Sequence, residues 1–389
     1  MGIKVNSSWL PFVFLIVAVI IIFVGFVLYG GAETIQLSQN VECNAFQEGN
    51  GDVNIVFLAD NYETEERFLE DVETFKDGLL NVVPFNEYLN NFNFYYVLGE
   101  FDLGCEHDEA ILCDPRKVKR VSLNCPNDYT VVLTDYNGVK NLFRYLRSSA
   151  WQGIACLNTA DDILVFAHEF GHLFADFADE YEFDGSITWD APNCVAPDCT
   201  PFNVISNPGC YLGCTNGDYY REERVGIMRD YWHGKTYGGF NEWIIREILD
   251  GNRITGGAVS NLGKESLYVI DGTFTKDGVE VNDVATVTGY APGIYDDKGW
   301  SLEVGNDEYY FGLPFAFVDV SVEGEMEGGT KEMVGSKFSV VIPVDGNEDQ
   351  EVIVKDPNGN EQERFNLPAS VQIGRLHELS KISFSPEIN

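Results

Sequence analysis

Two of the chain's five histidines stand four residues apart with an acid between them, in the run His168-Glu169-Phe170-Gly171-His172. On a helix, positions i and i+4 share a face, so both imidazoles project toward one point. Nitrogens so placed suit zinc, which takes imidazole at roughly 2.0–2.1 Å and, in catalytic sites, keeps a fourth position open beside three protein donors. Glu169, one residue past the first ligand, then lies beside the ion and not on it. There it can take a proton from water that the ion acidifies. This is the chemistry of a zinc hydrolase. The competing reading is a helix with two ordinary histidines, but so few histidines make this spacing uncommon by chance.

A third ligand is required. Ten residues after His168, where metzincins carry a third histidine, this chain has Ala178, followed by Asp179, Glu180 and Tyr181. Asp179 is the first choice, since a chain leaving its helix near Ala175–Asp176 can return that carboxylate to the metal. Glu180 is the second choice, and a solvated acidic turn the alternative to both. An oxyanion-stabilising donor is also expected, and Tyr231 and His233 are candidates by their place in the sequence.

The elements that must position these groups can be read from periodicity. Residues 160–178 read as a helix with Thr159 as N-cap, Asp162 completing a capping box, and Ile163, Phe166, Ala167, Phe170 and Phe174 as its apolar stripe. Val53 to Ala59 reads as a buried strand and residues 63–80 as a helix burying Phe68, Val72, Phe75, Leu79 and Leu80, with an acidic, solvated opposite face. Asn93 to Leu98 and Tyr129 to Thr134 are further strands, and Phe240 to Leu249 is helical. This alternation predicts an α/β catalytic layer over 51–260. From about residue 261 to 389, short runs such as LYVI, ATVTGY, FVDVSV, KFSVVIPV and EVIVKDPNGN predict an all-β, Ig-like sandwich. Asp345-Gly346-Asn347 and Asp356-Pro357-Asn358 read as hairpin turns and not calcium loops.

The stretch HEFGHLFADFADEY resembles the active-site segment of the bacterial IgA metallopeptidase family, zincins similar to metzincins. NIVFLADNYETEERFLEDVETFKDGLL, NPGCY…YYRE and GIMRD are also similar to that family, so the resemblance spans roughly residues 51–250. It implies a zincin fold, zinc on His168, His172 and Asp179, and Glu169 as general base. It also implies Met228 as the Met-turn residue forming an apolar floor under the metal. Ala175 and Asp176 stand where glycine is expected at the turn. Nothing in the sequence points to immunoglobulin as substrate.

Leu10 to Tyr29 is free of charge and long enough to cross a bilayer as a helix, with residues 1–9 left in the cytoplasm by the positive-inside rule. If cleaved near Gly30-Gly31-Ala32 it is instead an export signal. Residues 30–50 read as a tether. Either way the body is extracytoplasmic, at the cell surface or secreted. Nine cysteines fit that location as disulfides, with one thiol left over; a structural zinc site in the 194–214 cluster is the less favoured alternative. A net charge of −37, from 62 acidic against 25 basic residues, excludes nucleic acid as a partner. The expected function is therefore an exported zinc endopeptidase acting on proteins or peptides. The alternatives are a cell-surface binding protein whose peptidase-like fold is out of use and a zinc amidase acting on non-peptide or cell-wall material.

Overall fold

The computed structural model describes residues 41–136, 146–182, 191–251, 263–276, 278–292, 296–312, 315–318, 321–322, 325–326, 329–332, 335–344 and 350–367. The first half of the chain builds strands β1 (Cys43–Gln47), β2 (Val53–Asp60), β3 (Phe92–Val97), β4 (Tyr129–Thr134), β5 (Ser149–Trp151) and β6 (Ile154–Asn158). Between and after them come helices α1 (Glu65–Leu80), α2 (Pro115–Ser122), α3 (Val165–Ala175) and α4 (Gly239–Leu249). A hairpin of β7 (Tyr211–Cys214) and β8 (Asn216–Arg221) precedes α4. The second half adds β9 (Glu265–Thr275), β10 (Gly278–Gly289), β11 (Asp296–Val304), β12 (Asp307–Tyr310), β13 (Phe315–Val318), β14 (Gly329–Glu332), β15 (Lys337–Pro343), β16 (Gln350–Lys355) and β17 (Glu361–Leu367).

The largest sheet has the order β1-β3-β2-β4-β6-β5-β13-β14. Its centre, β3-β2-β4-β6, is parallel, and β5, β13 and β14 extend it antiparallel. β2 is apolar at successive positions because both sheet faces are covered. Ile55 and Phe57 enter one core with α1, α3 and α4, while Val56 and Leu58 enter another with Val118 and Cys125. On α1, Phe68, Val72, Phe75 and Leu79 are buried, whereas Glu65, Glu66, Glu70, Glu73 and Asp77 face solvent. Two smaller sheets, β10-β9-β15 and β12-β11-β16-β17, share a core of Ile270, Leu302, Phe338, Val340, Val352 and Val354. The Asp356 turn closes on itself, the carboxylate accepting bonds from the Asn358 and Asn360 backbone nitrogens.

The expected fold class, an α/β zincin layer followed by a separate Ig-like sandwich, is overturned. The described chain is mostly β-sheet, with four α-helices. Its largest sheet does not end with the first half of the chain, because β13 and β14 complete it. The reason is physical: antiparallel β5 presents backbone groups that need partners, and a later strand supplies them. Periodicity identifies strands but not which edge they join. Cys43–Gln47, placed in the tether, likewise pairs with β3. No helix among the described residues is long and apolar enough to cross a membrane, and residues 10–29 lie outside the described residues.

Disulfides join Cys43 to Cys125, Cys105 to Cys113, Cys194 to Cys214 and Cys199 to Cys210. Such bonds mark an oxidising, extracytoplasmic compartment. The remaining thiol, Cys156, is buried on β6, and burial pushes its pKa up to about 12, which makes it a poor nucleophile.

Candidate metal centre

Helix α3 is apolar enough to be buried along almost its whole length, yet it carries His168, Glu169 and His172, none more than 4% exposed. Three buried ionisable groups on one helix demand partners. The helix starts later than the capping pattern predicts, at Val165 and not at residue 160. Asn158, Asp161 and Asp162 capture the backbone N–H groups of Ala160, Asp162 and Leu164 and hold the preceding segment in turns. The helix stops at Asp176, which takes the left-handed conformation (φ 54°, ψ 31°) usual for glycine at this position. Aspartate tolerates that region better than most residues, so the missing glycine is accommodated.

The reversal brings the next residues back onto the helix. Phe177 O lies 2.7 Å from His172 Nδ1, and Ile227 O lies 2.9 Å from His168 Nδ1. Both carbonyls accept hydrogen bonds, so each Nδ1 carries the proton and each Nε2 presents a lone pair inward. The two Nε2 atoms are 3.1 Å apart, and Asp179 Oδ1 is 3.2 Å from one and 3.3 Å from the other. Donors arranged tetrahedrally about zinc at its usual bond lengths stand about 3.3 Å apart. His168, His172 and Asp179 thus form a group that can hold a metal ion. Burial pushes the Asp179 carboxyl up, but the adjoining imidazoles of His172 and His168 outweigh it and hold the group below the usual carboxylate range.

Asp179 is fixed from behind. Thr215 Oγ1 donates to its carbonyl at 2.8 Å, and Asn193 brackets Ala178 with two bonds of 2.8 Å, one to the backbone N–H and one to the carbonyl. Asn193 and Thr215 each adjoin one half of the Cys194–Cys214 disulfide. Glu180 points elsewhere: its Oε1 accepts from Asn241 Nδ2 at 2.7 Å and Asn193 Nδ2 at 3.2 Å, and burial raises its pKa to about 7. Of the two candidate third donors, the structure brings Asp179 to the imidazoles.

Met228 is fully buried beneath α3, its sulfur against Gly171, and its carbonyl accepts the Glu180 N–H at 2.9 Å. Tyr231 is buried with its ring centroid 5.5 Å from that of His168, and its hydroxyl is held by Asp161 at 3.1–3.2 Å. His233 is not brought to the centre; it faces solvent and pairs with Asp230 at 2.5 Å. Glu169 is fully buried on α3.

Sequence reasoning missed the Asn193, Thr215 and Asn241 supports and, most notably, Phe317. This β13 residue stacks on the His172 ring at 3.8 Å between centroids and 10° between planes. The cysteines beside Asn193 and Thr215 were a usable signal for those two, whereas nothing near Phe317 in sequence points to the centre.

No family model matches the chain, and no curated protein matches it.

Proposed function

We propose that the chain is an exported metal-dependent peptidase, with zinc held by His168, His172 and Asp179 and with Glu169 as general base. One observation carries the reading: three electron-pair donors converge at 3.1–3.3 Å in the interior, and backbone carbonyls occupy the outer nitrogen of both imidazoles. Without a cation those inward lone pairs repel. When bound, zinc would polarise an amide carbonyl and make water reactive near neutral pH. Three protein donors leave a fourth position for chemistry. Glu169 takes the proton of the attacking water on its carboxylate and passes it to the departing amine nitrogen. The resemblance of residues 168–181 to bacterial IgA metallopeptidases supports peptide over other amides as substrate.

A second reading has its own observation. All four groups are no more than 4% exposed, as in a structural metal site, where the ion only holds the fold. Comparing the full-length wild type with Glu169→Gln separates the two. Metal would be quantified and a mixed protein pool followed by mass spectrometry. Stoichiometric zinc in both, with cleavage by the wild type alone, is the expected result. Zinc in both without cleavage by either leaves the structural reading, and absence of bound metal defeats both.

A further inference from the structure

We propose that β13 is an inhibitory strand: it occupies the edge of β5 and lays Phe317 over His172, and a peptide reaches the metal centre only when β13 has left. This rests on the peptidase reading and adds to it a closed state and the form of the substrate, an extended strand.

β5 lies against α3, the helix that carries both histidines. An uncovered sheet edge there is a row of backbone donors and acceptors, the template onto which an extended peptide adds as a further strand. In the structure that place is taken in cis. Among the described residues β13 runs antiparallel to β5, pairing Phe317 with Ala150 and Val318 with Ser149. Side chains alternate across a strand, and here the two faces do different work. Ala316 is fully buried in the core shared by the two smaller sheets, while Phe317 turns the other way onto the imidazole of His172. One short strand therefore belongs to the second core and also seals the metal centre.

Two features mark the contact as a closure that can open. The three donors are no more than 4% exposed, and Phe317 covers a face of the His172 ring. The contact also involves no donor atom: Phe317 lies parallel to the His172 ring, leaving Nε2 directed at Asp179. Displacing the strand uncovers the centre without dismantling it.

The test uses the full-length zinc-loaded protein, with Phe317→Ala to remove the ring and Phe317→Tyr to keep it. Three quantities are read: the rate at which a chelator strips zinc, hydrogen exchange of the β5 amides, and cleavage of a mixed peptide pool. Phe317→Ala is expected to raise the stripping rate and cleavage about tenfold, the change expected from a weakened local closure, while Phe317→Tyr stays near wild type. Faster stripping without cleavage would support the closure and count against peptidase action. Equal stripping rates in all three proteins overturn the closure. Should Phe317→Ala fail to fold, the wild type still decides: β5 amides that exchange before those of β4 support the proposal, and β5 amides that exchange only with global unfolding overturn it.

Discussion

Gly171, between the two histidines, sets how closely α3 approaches the turn beneath it. A Cβ built there would lie 2.5 Å from Met228 Sδ, 3.1 Å from Tyr237 Cε1 and 3.3 Å from Met228 Cε. The substitution Gly171→Ala therefore has two opposed effects. Alanine in a helix interior is favoured over glycine by about 1 kcal/mol. Forcing the methyl into a packed core costs about 1–3 kcal/mol. Because Met228 and Tyr237 are both fully buried, the packing cost should win, giving a net loss of up to about 2 kcal/mol. Met228→Ala alone should lose about 2–5 kcal/mol through the cavity it leaves. In that background the thioether is gone and the Gly171→Ala methyl enters the vacated space. Its effect should reverse and become stabilising by up to about 1 kcal/mol. Urea unfolding of the two single variants, the double variant and the wild type closes the cycle. The turn also supplies Ile227 O to His168 Nδ1, so Gly171→Ala should weaken zinc binding by about tenfold or more. If Gly171→Ala stabilises the wild type, or has the same sign in both backgrounds, the packing of Gly171 on Met228 is not what holds the motif.

Asp179→Asn should abolish stoichiometric zinc, while Glu180→Gln should retain it; direct metal analysis of both checks this, and the opposite pattern would exchange their roles. Glu180 also gives a pH prediction for the metal-free protein. Its carboxyl is raised from an ordinary 4.5 to about 7 by burial. The stability it supports is therefore complete below about pH 4.5 and lost as pH rises through 7, by about 3 kcal/mol. Denaturation between pH 4 and 8 should show that decline, and Glu180→Gln should flatten it. Replacing Cys194 and Cys214 by serine should cost about 2–5 kcal/mol in thermal or urea unfolding. The same change should weaken zinc binding more than loss of the Cys105–Cys113 bond, because only the former flanks Asn193 and Thr215. Cys156 should resist alkylation by iodoacetamide until the chain unfolds; labelling at the native rate of an exposed thiol would contradict its burial.

What sequence made visible was local. Spacing alone placed His168 and His172 on one helical face, and the apolar residues of α1 and β2 appear where periodicity puts them. The choice of Asp179 followed from where the helix had to end. The start of α3 was misjudged because three acidic or amide side chains compete for the same backbone donors that a capping box would use. The fold class was misjudged for a different reason. A strand such as β13 has an apolar alternation like any other, and nothing in four residues says that it will join a sheet begun far earlier in the chain. Backbone carbonyls are equally silent in a sequence, yet Phe177 and Ile227 fix which nitrogen of each histidine faces Asp179.

The support behind Asp179 has a consequence for timing. Its carbonyl is anchored by Thr215, and its neighbour Ala178 by Asn193, on segments that the Cys194–Cys214 bond clamps together. A polypeptide whose thiols are still reduced would lack that clamp, leaving Asp179 less firmly held against the histidines. If the three groups take up zinc as proposed, disulfide formation would precede metal capture, and the chain would be armed only after export.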